Sequence, residues 1–160
     1  MIVREGKSVF KGVAIGKIFV YKKADNAVKK ETVADTAAEM ARFEAAKEKA
    51  LGQLKGLYEK ALKDVGEEEA MIFDVHQMLL DDPDYNDSIK DIIENEKMNA
   101  EYAVFMTSEQ FAAMFLSMDD DYMRGRAADI KDISERVISI LNGSQVSPEA
   151  MPEPVIIVAE

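Results

Sequence analysis

Gly66-Glu-Glu-Glu-Ala-Met-Ile-Phe-Asp-Val-His-Gln-Met-Leu-Leu-Asp-Asp-Pro83 is the stretch on which the architecture turns. Its glycine suits a helix break or C-cap. The three glutamates that follow meet the positive end of the next helix dipole. Asp82-Pro83 then supplies an N-cap and a proline at the first helical position of another helix. Between these signals, Ala70, Met71, Ile72, Phe73, Val75, Met78, Leu79 and Leu80 cover more than one stripe of a helix over 67–80. One stripe serves the helix's own core. The remainder is surplus apolar surface, which points to a partner.

Upstream, Thr32-x-x-Asp35 reads as a capping-box-like helix start. Val33, Ala37, Met40, Phe43, Ala50, Leu54, Leu57, Ala61 and Val65 then recur at spacings of three, four and seven. Unbroken to Asp64, this helix is about 50 Å long and spans several others. Downstream, a short helix follows Pro83 with Tyr85, Ile89, Ile92 and Ile93 inward. Asn99 is placed to cap a third main helix, from Ala100 to about Phe115. Asp119-Asp120-Asp121 is placed to cap a fourth, with Ala127, Ile130, Ile133, Val137 and Leu141 inward and Asn142-Gly143 at its end.

The two ends read differently. Val9, Val13, Ile15, Ile18, Val20 and Tyr21, punctuated by Gly12 and Gly16, predict one or two short strands. Ser147-Pro148 to Pro154 is a linker, and Val155–Ala159 reads as a fully buried strand of a larger protein's sheet. The two strand regions are expected to pair with each other or with a second copy.

Composition removes whole classes of chemistry. The 160 residues are 48% hydrophobic and 32% charged, which fits a folded domain and not a disordered chain. The absence of cysteine excludes disulfides, thiol catalysis and thiolate metal sites, and a single histidine excludes sites built on several imidazoles. The N-terminal residues lack the apolar segment of a signal peptide, and no apolar run approaches the roughly 20 residues that span a bilayer. Charge is concentrated: residues 64–96 hold twelve acidic side chains and one basic one, a net of −11 that equals that of the whole chain. Such a field repels nucleic acid and anionic membrane and attracts a basic partner, although a solvated acidic face also serves solubility.

The tempting motifs fail. Gly12-Val-Ala-Ile-Gly16-Lys17 has one residue too few between its glycines for a P-loop and no hydroxyl after the lysine. Counted from Asp82, an EF-hand would need glycine and glutamate where Asp87 and Ile93 stand. A di-iron bundle needs two Glu-x-x-His pairs. His76 has the apolar Ile72 and Leu80 one turn away and no obvious base, so partner contact is the better functional reading for it. Arg126 and Asp129 have the spacing of an internal ion pair.

In order and spacing, several segments resemble the N-terminal region of the Enzyme I family, the phosphoenolpyruvate–protein phosphotransferases of bacterial sugar transport. They are Gly12-Val-Ala-Ile-Gly16-Lys17, Gly66-Glu67-Glu68, Ile72-Phe73, His76-x-Met78-Leu79-Leu80-x-Asp82, Arg126-Ala-Ala-Asp129-Ile-x-Asp132-Ile133 and Pro154-Val-Ile-Ile-Val-Ala159. The resemblance implies a mainly α fold: a helical subdomain of two hairpins, four main helices plus one short helix, over 24–145. Short strands in 1–23 and 146–160 would belong to an incomplete α/β phosphohistidine domain.

The implied function is docking of the phosphocarrier protein HPr, whose basic rim and apolar patch would meet Glu67, Glu68, His76, Met78, Leu79, Asp82 and Arg126. Asp74, Tyr85, Phe115 and Met123 stand at further interface positions. Pro83 replaces an acidic residue of some members, which is expected to weaken one rim contact. The family's phosphorylated histidine lies in a Thr-Ser-His motif that does not occur in these residues, so no catalytic residue is expected here and His76 is not its equivalent. No cofactor is expected in this fragment, while magnesium and homodimerisation are implied for the full-length cytoplasmic enzyme through a C-terminal domain. A paralogue serving a nitrogen-regulatory or dihydroxyacetone kinase branch, or an acidic helical adaptor for a basic protein, are the alternatives.

Overall fold

A computed structural model describes residues 12–21, 28–143 and 155–159. The chain divides into two units, residues 26–145 and a second unit from 1–25 with 146–160.

The larger unit is helical: α1 (Thr36–Asp64), α2 (Glu67–Leu80), α3 (Pro83–Glu94), α4 (Ala100–Leu116) and α5 (Asp121–Leu141). Short connections make α1 with α2, and α4 with α5, the most closely packed pairs, with α3 between them. Phe43, Ala46, Ala50 and Leu54 form the buried row of α1. They pack with Ile89, Ile92 and Ile93 of α3, Ala103, Val104 and Ala112 of α4, and Ile130, Ile133 and Val137 of α5. Alanines at these contacts let helix axes approach closely.

The start of α1 lies later than the capping box suggests. Asp35, not Thr32, is the N-cap and accepts from the Ala38 N–H at 2.9 Å. Thr32 instead forms an isolated bridge with Met98, and the Val33 N–H donates to the Lys97 carbonyl. Gly66 performs the predicted break at φ +114°, a conformation that a side chain would strain. Asp82 caps α3 by accepting from the Tyr85 N–H, and Asp120 caps α5 by accepting from the N–H groups of Tyr122 and Met123.

At the N-terminus of α4 the expected capping residue does something else. Asn99 occupies the N-cap, but its side chain accepts from the Glu31 N–H and donates to Glu101 Oε2. The free N–H of Ala100 donates to Glu39 Oε1 at 2.7 Å, so a buried carboxylate of α1 caps α4. Arg42 closes the cluster, donating to Glu39 at 2.7 Å and Glu101 at 2.6 Å.

The smaller unit holds a parallel pair, β1 (Lys17–Tyr21) and β2 (Val155–Ala159), in register from Lys17 opposite Val155 to Tyr21 opposite Ala159. The strands therefore pair with each other, with the whole helical unit between them in sequence. In this two-stranded pair Ile157 and Val158 are exposed, as are Ile18 and Val20 of β1, so the burial expected of the strand in a larger sheet is not met by these two strands alone. The faces of parallel strands are ordinarily covered by the helices of a larger α/β sheet. Val9 lies outside the described residues, while Val13 and Ile15 are exposed and outside β1.

Candidate functional site

The candidate surface follows from the pitch of α2. Glu67, Met71, Asp74 and Met78 fall along one row at spacings of four, three and four, and Glu68, Ile72 and Leu79 along the next. Ala70 and Leu80, on the opposite side, are buried and fix which way these rows face. Glu67, Glu68, Asp74, Met71 and Ile72 are exposed, Met78 is 68% exposed, and Leu79 is half-buried against the core. The rows run from a glutamate cluster at the positive helix end to an open apolar surface. The apolar surplus read from the sequence is therefore at the surface.

His76 borders this surface where α2 meets α5. Its Nε2 stands 3.3 Å from Asp129 Oδ1, and as the carboxylate can only accept, the imidazole N–H donates. The other oxygen of Asp129 accepts from Arg126 Nη1 at 2.7 Å. The Arg126 guanidinium lies 4.3 Å from the ring centre of Tyr122, one turn earlier on α5, in cation–π contact. Burial disfavours its charge, but Asp129 and Tyr122 outweigh that and raise its pKa. Tyr122 itself is 67% exposed, while Met123 is half-buried against the core.

Two expected contact residues are not available. Tyr85 is 1% exposed, as the inward phase of its helix predicts, and Phe115 is 8% exposed in the core. The Tyr85 hydroxyl lies 2.6 Å from Ser134 Oγ. Ser134 spends its own proton on the Ile130 carbonyl, so the tyrosine is the donor. Phe111 meets the Tyr85 ring edge to face. Burial pushes the Tyr85 phenol well above its ordinary range, with the Ser134 hydrogen bond opposing. Asp82 is half-buried and engaged in its cap.

The sequence reading missed Met71, Ile72, Tyr122 and Asp129 as site residues. The first two were legible as surplus on α2, and Tyr122 as the residue one turn before Arg126. The link from Asp129 to His76 crosses 53 positions and had no local signal. Among the described residues, no three His, Asp or Glu side chains are grouped to hold a metal ion, and none of the helices can cross a membrane by length and apolarity. The arrangement can bind a complementary surface.

The family described as PEP-utilising enzyme, N-terminal, matches residues 5–126. Phosphoenolpyruvate-protein phosphotransferases of Geobacillus stearothermophilus and Bacillus sp. (strain S) are 44% and 43% identical to the chain over 156 residues. Those matches cover 97% of this chain and 27% of the relatives, so it spans about a quarter of their length. A solution NMR structure of Enzyme I superposes with a TM-score of 0.82 at 34% identity, covering 91% of this chain and 60% of that one. The N-terminal domain of Enzyme 1 – Nitrogen gives a TM-score of 0.73 at 27% identity over the same shares. With its family match running over most of its length and its fold shared with these structures, the chain belongs to the PEP-utilising enzymes, as the N-terminal part of one.

Proposed function

We propose that this chain is the carrier-docking part of a cytoplasmic phosphoenolpyruvate-protein phosphotransferase, and that the exposed rows of α2 with the adjoining start of α5 receive HPr. The observation that carries this reading is Met78 with Met71 and Ile72, open apolar surface flanked by Glu67, Glu68 and Asp74. A partner with a basic rim and an apolar centre complements that pattern. Glu67, Glu68 and Asp74 would steer it, Met78 and Leu79 would fill its apolar patch, and His76 and Arg126 would fix register. Asp82 and Met123, each half-buried, would contribute at the margin. Tyr85 and Phe115, buried in the core, would touch no partner.

The chemical consequence is orientation. Holding the carrier's histidine in line with a phosphohistidine elsewhere in the enzyme makes transfer effectively unimolecular. Complementary charge accelerates encounter more than it tightens the complex. An interface below about 1,200 Å² suits a partner that must leave after each transfer. In this reading the paired strands β1 and β2 belong to the α/β phosphohistidine domain, and residues 24–145 are an insertion in it. Magnesium binding and homodimerisation would belong to the C-terminal part of the full enzyme.

Titration of the isotope-labelled chain with HPr tests this. Backbone signals of α2 and the first two turns of α5 should shift. Reversing Glu67 and Glu68 to lysine should slow association about tenfold or more at low salt. Shifts confined to other helices, or an unchanged association rate in the double variant, would overturn the proposal.

A further inference from the structure

Asp129 belongs to none of the expected contact residues, yet it is the hinge-pin of the surface. Its two oxygens serve two helices: Oδ1 faces His76 Nε2 of α2 and Oδ2 accepts from Arg126 of α5. All three side chains are largely enclosed, with 12% of His76 and 15% each of Arg126 and Asp129 exposed. The Tyr122 ring covers the face of the guanidinium whose edge Asp129 holds. An arginine so held has already given up the rotamer freedom that binding would otherwise cost.

We infer that Asp129 is a positioning residue for docking, pre-ordering Arg126 and fixing the exposed rows of α2 against α5. This rests on the docking reading above and adds a residue that acts through its neighbours without touching the partner. Charge alone makes a different prediction. Removing one carboxylate from an acidic face weakens attraction for a basic partner, but that effect fades with salt and does not depend on Arg126. Positioning requires Arg126 and survives salt.

The test is calorimetric titration of HPr into the 160-residue chain as wild type, Asp129→Asn, Arg126→Ala, the double variant and Asp129→Glu, at low and high salt. Asp129→Asn should weaken binding about tenfold at both salt concentrations, but less than about twofold when added to Arg126→Ala, since the two residues act as one unit. Asp129→Glu should restore part of the loss. In the free chain, the ordered guanidinium N–H signals of Arg126 should be lost in Asp129→Asn and kept in Asp129→Glu. Equal binding by wild type and Asp129→Asn, a loss that persists without Arg126, or unchanged guanidinium signals overturns the inference. Failure of the wild type to bind HPr overturns the docking reading itself, which separates the two failures.

Discussion

Two carboxylate clusters cross between helices, and they are put to opposite uses. At the base of the bundle, Glu39 and Glu101 are buried with every named neighbour satisfied: Arg42, Asn99 and the Ala100 N–H all donate to them. Where α2 meets α5, Asp129 joins His76 and Arg126 beside open apolar side chains. The ingredients are alike, a carboxylate shared between helices and an arginine. The difference is what lies around them. In the first cluster the two buried carboxylates are saturated by their donors and fasten α1 to α4, with Arg42 reaching them from the solvent side. Exposed methionines and glutamates around the second leave binding capacity unspent. Similar ion pairs therefore say little about role until burial and neighbouring surface are known.

The sharpest way to break this contrast is Glu39→Ala. It should cost about 2 kcal/mol of unfolding free energy, because it removes the buried carboxylate that caps Ala100, while the exposed Arg42 keeps Glu101 and regains water. Urea unfolding reads the loss, and under conditions where the variant stays folded its HPr affinity should match wild type. Met78→Ala should do the reverse, weakening HPr binding by about 1 kcal/mol while stability changes by less than about 0.5 kcal/mol, as its side chain is mostly exposed in the free chain. A smaller effect is acid sensitivity of the base. Burial opposes the charge of Glu101, yet its own backbone N–H and the hydrogen bonds from Arg42 and Asn99 outweigh that and hold its pKa below the ordinary glutamate range. A carboxyl depressed in the folded state stabilises fully above its unfolded value, and that contribution disappears as pH falls from the ordinary range through the lower folded value. The urea midpoint should therefore fall on mild acidification, and more steeply in wild type than in Glu101→Gln.

Much of the helical unit was readable locally. Gly66, Asp82-Pro83, Asp120 and Asn142-Gly143 mark helix ends by short-range chemistry, and the structure places breaks and caps at each. Thr32 and Asn99 show where local rules lose. Both residues suit a cap, but the antiparallel contact of 31–33 with 97–99 uses Thr32 as a bridge and turns the Asn99 side chain away. A glutamate from 61 positions away then takes over the cap. Burial of Tyr85 was implied by the period of its own helix, and the conflicting surface expectation came from the family resemblance.

The sequence alone determined the helices, the concentration of acid over residues 64–96 and the apolar excess of the helix over 67–80, since each depends on neighbours within one or two turns. Only the tertiary structure decided which side of that helix stays open, that Glu39 and Glu101 are buried, and that His76 has a carboxylate partner. Those facts depend on contacts between residues dozens of positions apart, whose geometry is set by how α1, α4 and α5 pack, and no periodicity in a single segment encodes it.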